Sequence, residues 1–571
     1  MALLGASFQI GRSALAAYQS AISIAGQNIA NLANPDYARQ SGRLAALVGG
    51  PLLGGVTPGA GVQLDRLRRH VDGSLDAQLR NAGGARSSAD TVYQALSQLE
   101  SRYNELTDQD ISSLLATFFS QFATLETSPS DGASRDQVLS TARGLAQSVQ
   151  RQRAGILQQV QDLNTQAETL SEHASGIARE IASLNELIVR QEADGTSIAS
   201  PLRDRRDGLL RELSEIVDVR VREQDSGAVN VYVGSTPLVE FNRARTLTTE
   251  RVLEDGMEIA RVRFADDGSG VTLSGGALHG VVTARDVHLR GQLDRLDQFA
   301  RGLIYEVNRI HSTGVGLVGY SSLRSEHAVL DPDAALNTDQ AGLPFPARNG
   351  TFIVHVRDTA TGQVITRQIE IDLDGLGGND TSLADLAEDL GNVPGLTASV
   401  TADNRLQINA GNGREVWFTE DSSGLLAALG VASFFSGTNA ADIRLSETIA
   451  SDPRLLAAST SGLVNDGGNA GRIATLADDA RVSDLLSGRS IAGYFDDIVG
   501  SLAVSTAQAM TDFEAADAVY SGVYAQRESV SGVNLDEETV KLMEYQSAYE
   551  GAARYIGVLD QLNAELLSLL S

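Results

Sequence analysis

The chain of 571 residues contains no cysteine. A disulfide framework, a thiolate nucleophile and a cysteine-ligated metal site are therefore all excluded. Lysine is nearly absent as well: of 45 basic residues only Lys541 is a lysine, a bias for which we have no physical account. The seven histidines, His70, His173, His279, His288, His311, His327 and His355, form neither an HExxH motif nor a pair at helical ligand spacing. Long apolar runs are missing too. The N-terminal stretch MALLGASFQIGRSALAAY is broken by Gly, Ser, Gln and Arg, and no segment reaches the length of a membrane span, which fits a cytoplasmic protein or one exported without a cleaved signal. Aromatics make up 5% and there are 56 glycines, which points to many turns and lightly packed, elongated modules. At roughly 150 residues per domain the length predicts three or four domains. A net charge of 45 − 73 = −28 opposes binding to nucleic acid or an anionic membrane.

What the chain does have is concentrated at its ends. Phe8, Gly11, Leu15, Tyr18, Ile22, Ala25, Ile29 and Leu32 recur at a four-three spacing, and so do Leu542, Tyr545, Tyr549, Ala552, Ile556, Leu559, Asn563, Leu566 and Leu570. A 3.5-residue period is that of a coiled-coil seam. Residues 1–80 carry seven Arg against four Asp, whereas 531–571 carry seven Asp or Glu against Lys541 and Arg554. Burial and charge both favour pairing of the two terminal helices.

Between the ends, Asn34, Pro35 and Asp36 stop the first helix, and a Gly-rich stretch at 49–64 leads through a short strand into an amphipathic segment with Val71, Leu75 and Leu79. Helical periodicity covers 88–126, 133–194 and 201–217, and returns at 285–313 and from 474 onward. Period-two strands interrupt it twice, at 229–233 and 259–264 and again across 348–432, where a helix is capped near Thr381 or Ser382. The expected fold is multidomain α+β, elongated, with paired terminal coiled-coil helices and a helical rod carrying inserted β and αβ modules. The expected domains are 1–45 with 530–571 (terminal coil), 46–218 with 285–325 and 474–529 (rod), 219–284 (β unit) and 326–473 (αβ module, core 348–432).

Catalytic and cofactor patterns fail on context. Gly314, Gly316 and Gly319 follow a helix where a dinucleotide fold needs a preceding strand. In DLDGLGGND (372–380), Asp372, Asp374, Gly377 and Asp380 suggest a calcium loop, but Leu376 and Leu383 occupy positions where an EF-hand needs oxygen ligands, so a solvated turn is expected. No catalytic residue, cofactor or metal site is assigned.

The turn after the first helix, with Asn28, Ile29, Ala30, Asn31, Asn34, Pro35, Tyr37 and Arg39, resembles the signature of bacterial flagellar axial proteins of rod, hook and hook-filament junction. That family usually has Gly where Asp36 stands. The segment 59–80 is similar to the family's as well, through Gly61, Val62, Arg69, Asp72, Gln78, Leu79 and Arg80. Within the family, Gly532, Val533, Asn534, Leu535, Asp536, Glu537 and Glu538 before the last helix, and Tyr545 to Tyr549 within it, resemble the hook-associated protein 1 branch. So do the stretch Asp204 to Asp207 and the pair Asn308 and His311.

This resemblance implies a structural protein, not an enzyme, exported through the flagellar type III apparatus from a transient cytoplasmic state and assembled between hook and filament. Alternatives are another axial component such as hook protein, or a junction protein with an enzymatic insertion. The implied partners are further copies in a ring, hook protein below, a second junction protein (hook-associated protein 3) above, and an export chaperone at the C-terminal helix, with no nucleic acid or membrane. Phe8, Leu15, Tyr18, Ile22, Ile29 and Leu32 facing Leu542, Tyr545, Tyr549, Ile556, Leu559 and Leu566 are the expected assembly interface. Both termini are expected to be disordered in the free subunit.

Overall fold

A computed structural model of the chain describes residues 2–48, 59–103, 110–193, 198–254, 256–479 and 484–570. Of the expected segments, the Gly-rich stretch at 49–58 and the side chain of Leu570 lie outside the described residues. The first elements are α1 (Ala2–Ala30), β1 (Gln40–Val48), β2 (Gly59–Arg69), α2 (Gly73–Tyr103), α3 (Ile111–Thr127), α4 (Gly132–Gln191) and α5 (Ser200–Ile216). Six strands follow: β3 (Arg220–Glu223), β4 (Val229–Val233), β5 (Thr236–Glu240), β6 (Arg243–Ala244), β7 (Leu247–Glu254) and β8 (Met257–Phe264). Then come α6 (Gly276–Thr283), a π-helical turn, α7 (Arg290–His311), β9 (Ser322–Arg324), β10 (Gly350–Asp358), β11 (Val364–Ile371) and α8 (Leu383–Gly391). The rest comprises β12 (Leu396–Val400), β13 (Leu406–Ala410), β14 (Arg414–Thr419), α9 (Leu425–Leu429), β15 (Phe435–Ser436), β16 (Arg444–Leu445), α10 (Glu447–Ser451), α11 (Gly468–Thr475), α12 (Ile491–Ser531) and α13 (Leu535–Leu570). No helix of the described residues is long and apolar enough to cross a membrane.

The chain divides into two compact units, one of 1–95, 161–284 and 508–571, the other of 96–160 and 285–507. In the first, α1 lies between α13 and the antiparallel hairpin β1–β2. A side chain at Gly11 would put its Cβ 2.5 Å from Ile556 Cγ1, and one at Gly61, where φ is +117°, would meet Ser13 and the backbone of Ile10. Because α1 is covered from two directions, its buried residues other than Asn28 are the small ones, Gly11, Ala17, Ala21 and Ala25, while the larger Leu15, Tyr18 and Ile22 are half-buried at the margins. The run Leu44-Ala45-Ala46-Leu47 has helical spacing, and pairing with β2 overrides it to make β1 a strand. The same unit holds the antiparallel sheet β3-β4-β5-β6 and the hairpin β7–β8.

Both sheets are tied to α4 by buried asparagines. Asn185 donates to Val229 O and accepts from Val229 N at 2.8 and 3.0 Å; Asn164 donates to Glu258 O and accepts from Ala260 N at 2.6 and 2.9 Å. A helix side-chain amide here takes the place of a neighbouring strand, satisfying ladder groups that burial would otherwise penalise.

The second unit contains the sheets β11-β10-β14 and β12-β13-β9, both antiparallel, with α8 packed on the latter's strand β12. Ser382 and Asp385 form a reciprocal capping box at the start of α8. Its core is aromatic: Phe118, Phe122, Phe434 and Phe435 lie at centroid separations of 4.8–5.8 Å. Asn308 fixes that cluster, donating to Phe435 O at 2.8 Å and accepting from Phe434 N and Phe435 N at 2.9 and 2.8 Å. His311, fully buried, is hydrogen-bonded through Nδ1 to Ala432 O and accepts Ala457 N–H at Nε2, which makes it neutral.

Candidate functional site

Helix α1 ends at Ala30 because the following groups turn back on it: Asn31 N donates to Gln27 O at 3.1 Å, Asn34 N to Asn31 O at 3.0 Å and Tyr37 N to Asn34 O at 3.1 Å, and Pro35 cannot continue a helix. Leu32 therefore lies in the turn and not on the helix, with 45% of its surface exposed. The other end of the chain is broken by Gly532, whose N–H reaches Glu528 O at 2.9 Å and where a Cβ would sit 2.4 Å from that oxygen. Asn534 then caps α13, its Oδ1 accepting from Asp536 N at 2.9 Å and Glu537 N at 3.3 Å. Three acidic residues in the first turn of α13 suit its positive end. Val533 is half-buried and Leu535 exposed.

These two turns meet, and Asn28 is the centre of the meeting. Its Nδ2 donates to Gln40 O and to Glu538 Oε2, both at 2.8 Å, and its Oδ1 accepts from Gln40 N at 3.0 Å and Tyr37 OH at 2.7 Å. All four hydrogen-bonding positions of the amide are used, at a residue with no exposed surface. Arg39 adds Nε to Glu538 Oε1 at 2.9 Å and Nη2 to Glu537 Oε2 at 2.8 Å, and its backbone N–H donates to Ser531 O at 2.9 Å. Glu538 is 2% exposed at its side chain. Burial is the largest influence on its carboxyl and would raise the pKa, but hydrogen bonds from Asn28 and Arg39 and the charges of Lys541 and Arg39 outweigh it and hold the group below the ordinary carboxylate range. Burial, with Asp204 and Glu538 nearby, pushes the Tyr37 hydroxyl up to about 12.

A second ring of charge supports the turn. Arg527 donates to Pro35 O at 2.9 Å and Glu528 at 2.7 Å and lies 3.7 Å from Asp76. Asp36 pairs with Arg211 in the space left by Gly208, where a Cβ would come within 2.8 Å of the Asp36 carboxyl carbon. This accounts for Asp at a position where the resemblance leads one to expect Gly: no left-handed backbone is needed there, and the carboxylate has a cation. Arg69 bridges Asp204 and Asp207, the latter at 2.8 Å.

The expected interface residues fall as follows. Phe8, Leu15, Tyr18, Ile22 and Ile29 are half-buried on α1; Leu542, Tyr545, Tyr549 and Ile556 are half-buried and Leu559 buried on α13; Leu566 is 45% exposed. Val540, Met543, Val558, Leu562 and Leu567 are exposed on α13's other sides. Sequence reading singled out Asn31, Asn34 and Pro35, which shape the turn, but not Gln40 or Arg527, and nothing local separates Glu538 from Asp536 and Glu537. Away from this site, Asp372, Asp374 and Asp380 bring carboxylate oxygens within 4.8 Å of one another, yet these accept N–H groups of Asn379, Leu376 and Gly375 within their own turn. The chemistry of the Asn28 site is hydrogen bonding and ion pairing, that of a clasp.

The chain is similar to known proteins in sequence and in fold. Residues 96–322 match the model of the flagellar hook-associated protein FlgK helical domain, and 525–569 that of the flagellar basal body rod FlgEFG protein C-terminal region. The chain is 26% identical over 576 residues to flagellar hook-associated protein 1 of Salmonella typhimurium, covering 98% of each. It is 30% identical over 145 residues to the Bacillus subtilis protein of that name, covering 24% of this chain and 29% of that one. Its fold is similar to that of the flagellar hook junction protein FlgK from Burkholderia pseudomallei, with a TM-score of 0.50 and 16% identity, covering 80% of this chain and all of that one.

Proposed function

We propose, from the premise that the chain belongs to the flagellar hook-associated protein 1 family, that it is the structural adaptor joining hook to filament in the bacterial flagellum. It is an extracellular component of that organelle, reaches its place through the flagellar type III apparatus, and works without catalysis. In this reading α1 and α13 form a coiled coil that assembles with further copies into a ring, with hook protein on one side and hook-associated protein 3 on the other. The export chaperone engages α13 before export. The terminal coil (1–45 and 530–571) builds the axial part, and the rod segments, the β unit (219–284) and the αβ module (326–473) are the further domains.

The observation that carries this reading is the clasp at Asn28, supported by the apolar side chains α13 leaves exposed. A lone subunit fixes the register of its terminal helices with Asn28, Arg39 and Glu538, yet keeps Val540, Met543, Val558, Leu562 and Leu567 uncovered. Surface of that kind marks an association face.

Electron microscopy of cells lacking the gene, with the medium assayed for unpolymerised flagellin, is the test. Hooks without filaments and flagellin shed outside are expected; absent hooks would move the protein down the axis, and normal filaments would refute the role. Leu559→Asp or Ile22→Asp should leave the second unit folded and the protein secreted but abolish incorporation, because a charge would enter a largely covered face. Assay of secreted protein separates failed assembly from failed export.

A further inference from the structure

In the second unit, register along β10 and β14 sets His355 opposite Trp417, so that both stand on the outward face of the sheet β11-β10-β14. The two rings stack, with centroids 5.2 Å apart and planes 10° from parallel. This face borders a cleft of about 590 Å³ whose opposite wall includes Arg309 near the end of α7 and Arg472 on α11. The volume falls within the ~300–1,000 Å³ typical of ligand sites.

The polar groups of the cleft are unevenly satisfied. Its acceptors are mostly engaged: Asp421 takes the N–H groups of Ser423, Gly424 and Leu426 and the Ser423 hydroxyl, and Thr419 Oγ1 lies 2.8 Å from His355 Nε2. The hydroxyls of Thr460 and Ser461 are given to Asp466. The donors are the groups left over. Arg472, exposed at the mouth of the cleft, meets no carboxylate among the described residues and bonds through one Nη to Asn469 Oδ1 at 3.2 Å. Arg309 spends Nε on Glu306 at 3.0 Å. The Trp417 indole N–H has no acceptor among the described residues. Glu420, exposed on the rim, is the one carboxylate not so engaged. Partial desolvation on the cleft side, and then the charge of Arg309, push the Arg472 pKa down.

We propose that this cleft binds an organic oxyanion, a carboxylate or phosphate on a body of about sugar size, with Arg472 and Arg309 on the charge and the Trp417 N–H on an adjacent acceptor. Guanidinium is suited to such groups because its planar fork matches two oxygens at once.

Trp417 is the only tryptophan of the chain, so tryptophan emission reads this cleft directly. The full chain is titrated with glucuronate, inorganic phosphate and glucose. Saturable change with either anion, and none with uncharged glucose at the same concentrations, is expected. Arg472→Gln should weaken anion binding roughly tenfold or more, with circular dichroism confirming the fold. Val364→Asp, which adds a carboxylate at an exposed rim position and disturbs no core, should weaken it roughly threefold, more at low salt. No saturable change with either anion, glucose matching glucuronate, or unchanged affinity in the folded variants would overturn the proposal.

Discussion

Asn28 and Asn308 do the same work in two different settings. Each lies in the last turn of a helix, each is buried, and each uses its side-chain amide to hold the backbone of a distant segment as a neighbouring strand would. Around Asn28 the surroundings are polar and charged, with Glu538, Arg39 and Lys541 beside the neutral Tyr37 hydroxyl. Around Asn308 they are phenylalanine rings and a neutral histidine. A clasp held by charge can respond to pH and salt, whereas one sealed in aromatic packing is bound to the stability of its core.

The largest effect should come from removing the aromatic seal. Phe434→Ala is expected to cost about 3–5 kcal/mol in urea unfolding of the second unit while leaving amide protection at residues 28–40 nearly unchanged; a loss below about 1 kcal/mol would break the contrast. Acid should sharpen it next. Burial first, opposed by the bond to Ala432 and aided by Arg135, lowers the His311 pKa from 6.5 to about 4. The unfolded chain then takes up this proton before the folded one, so the stability due to neutral His311 is complete above pH ~6.5 and lost as pH falls toward 4, about 3 kcal/mol in all. Glu538 has a depressed folded pKa, so its contribution is present above the unfolded carboxylate value near 4.5 and is lost only as pH falls through the folded value. Peptide-level hydrogen exchange between pH 7 and 4 should show the second unit weakening first; the reverse order would remove the distinction. The smallest effect is Glu538→Gln, which keeps the shape but loses the ion pairs. It should cost about 1–2 kcal/mol, a loss that high salt reduces, with denaturation at two ionic strengths as the check.

Much of the α13 pattern was legible because the four-three period persists along the helix despite the apolar residues it leaves exposed: Leu542, Tyr545, Tyr549, Ala552, Ile556, Leu559 and Asn563 are all positions of reduced exposure. On α1 the spacing put Gly11 and Ala25 on the seam, and the structure buries both; it left out Ala17 and Ala21, which are buried too because a helix packed between another helix and a hairpin needs small residues on its inner faces. The strands in the core of the αβ module (348–432) were readable since Gly and Asn punctuate them, while the two-residue strands β15 and β16 were too short to show a period and β1 was hidden by its helix-like spacing. The clasp was half visible. Family resemblance drew attention to Asn28 and Arg39, but a bond between residues so far apart in the chain leaves no local trace, and Glu538 sits in a run of three acids that look alike.

Asn28 and Glu538 are 510 residues apart. Bringing such distant points of a flexible chain together costs about 5–6 kcal/mol in closure entropy, most of which the intervening domains remove by folding first. The clasp thus cannot form until the segment that carries Glu538 is present, 510 residues after Asn28. A product truncated before Glu538 would leave the Asn28 amide and the Arg39 guanidinium short of their partners, so the contact that fixes register also reports that the start of α13 has arrived.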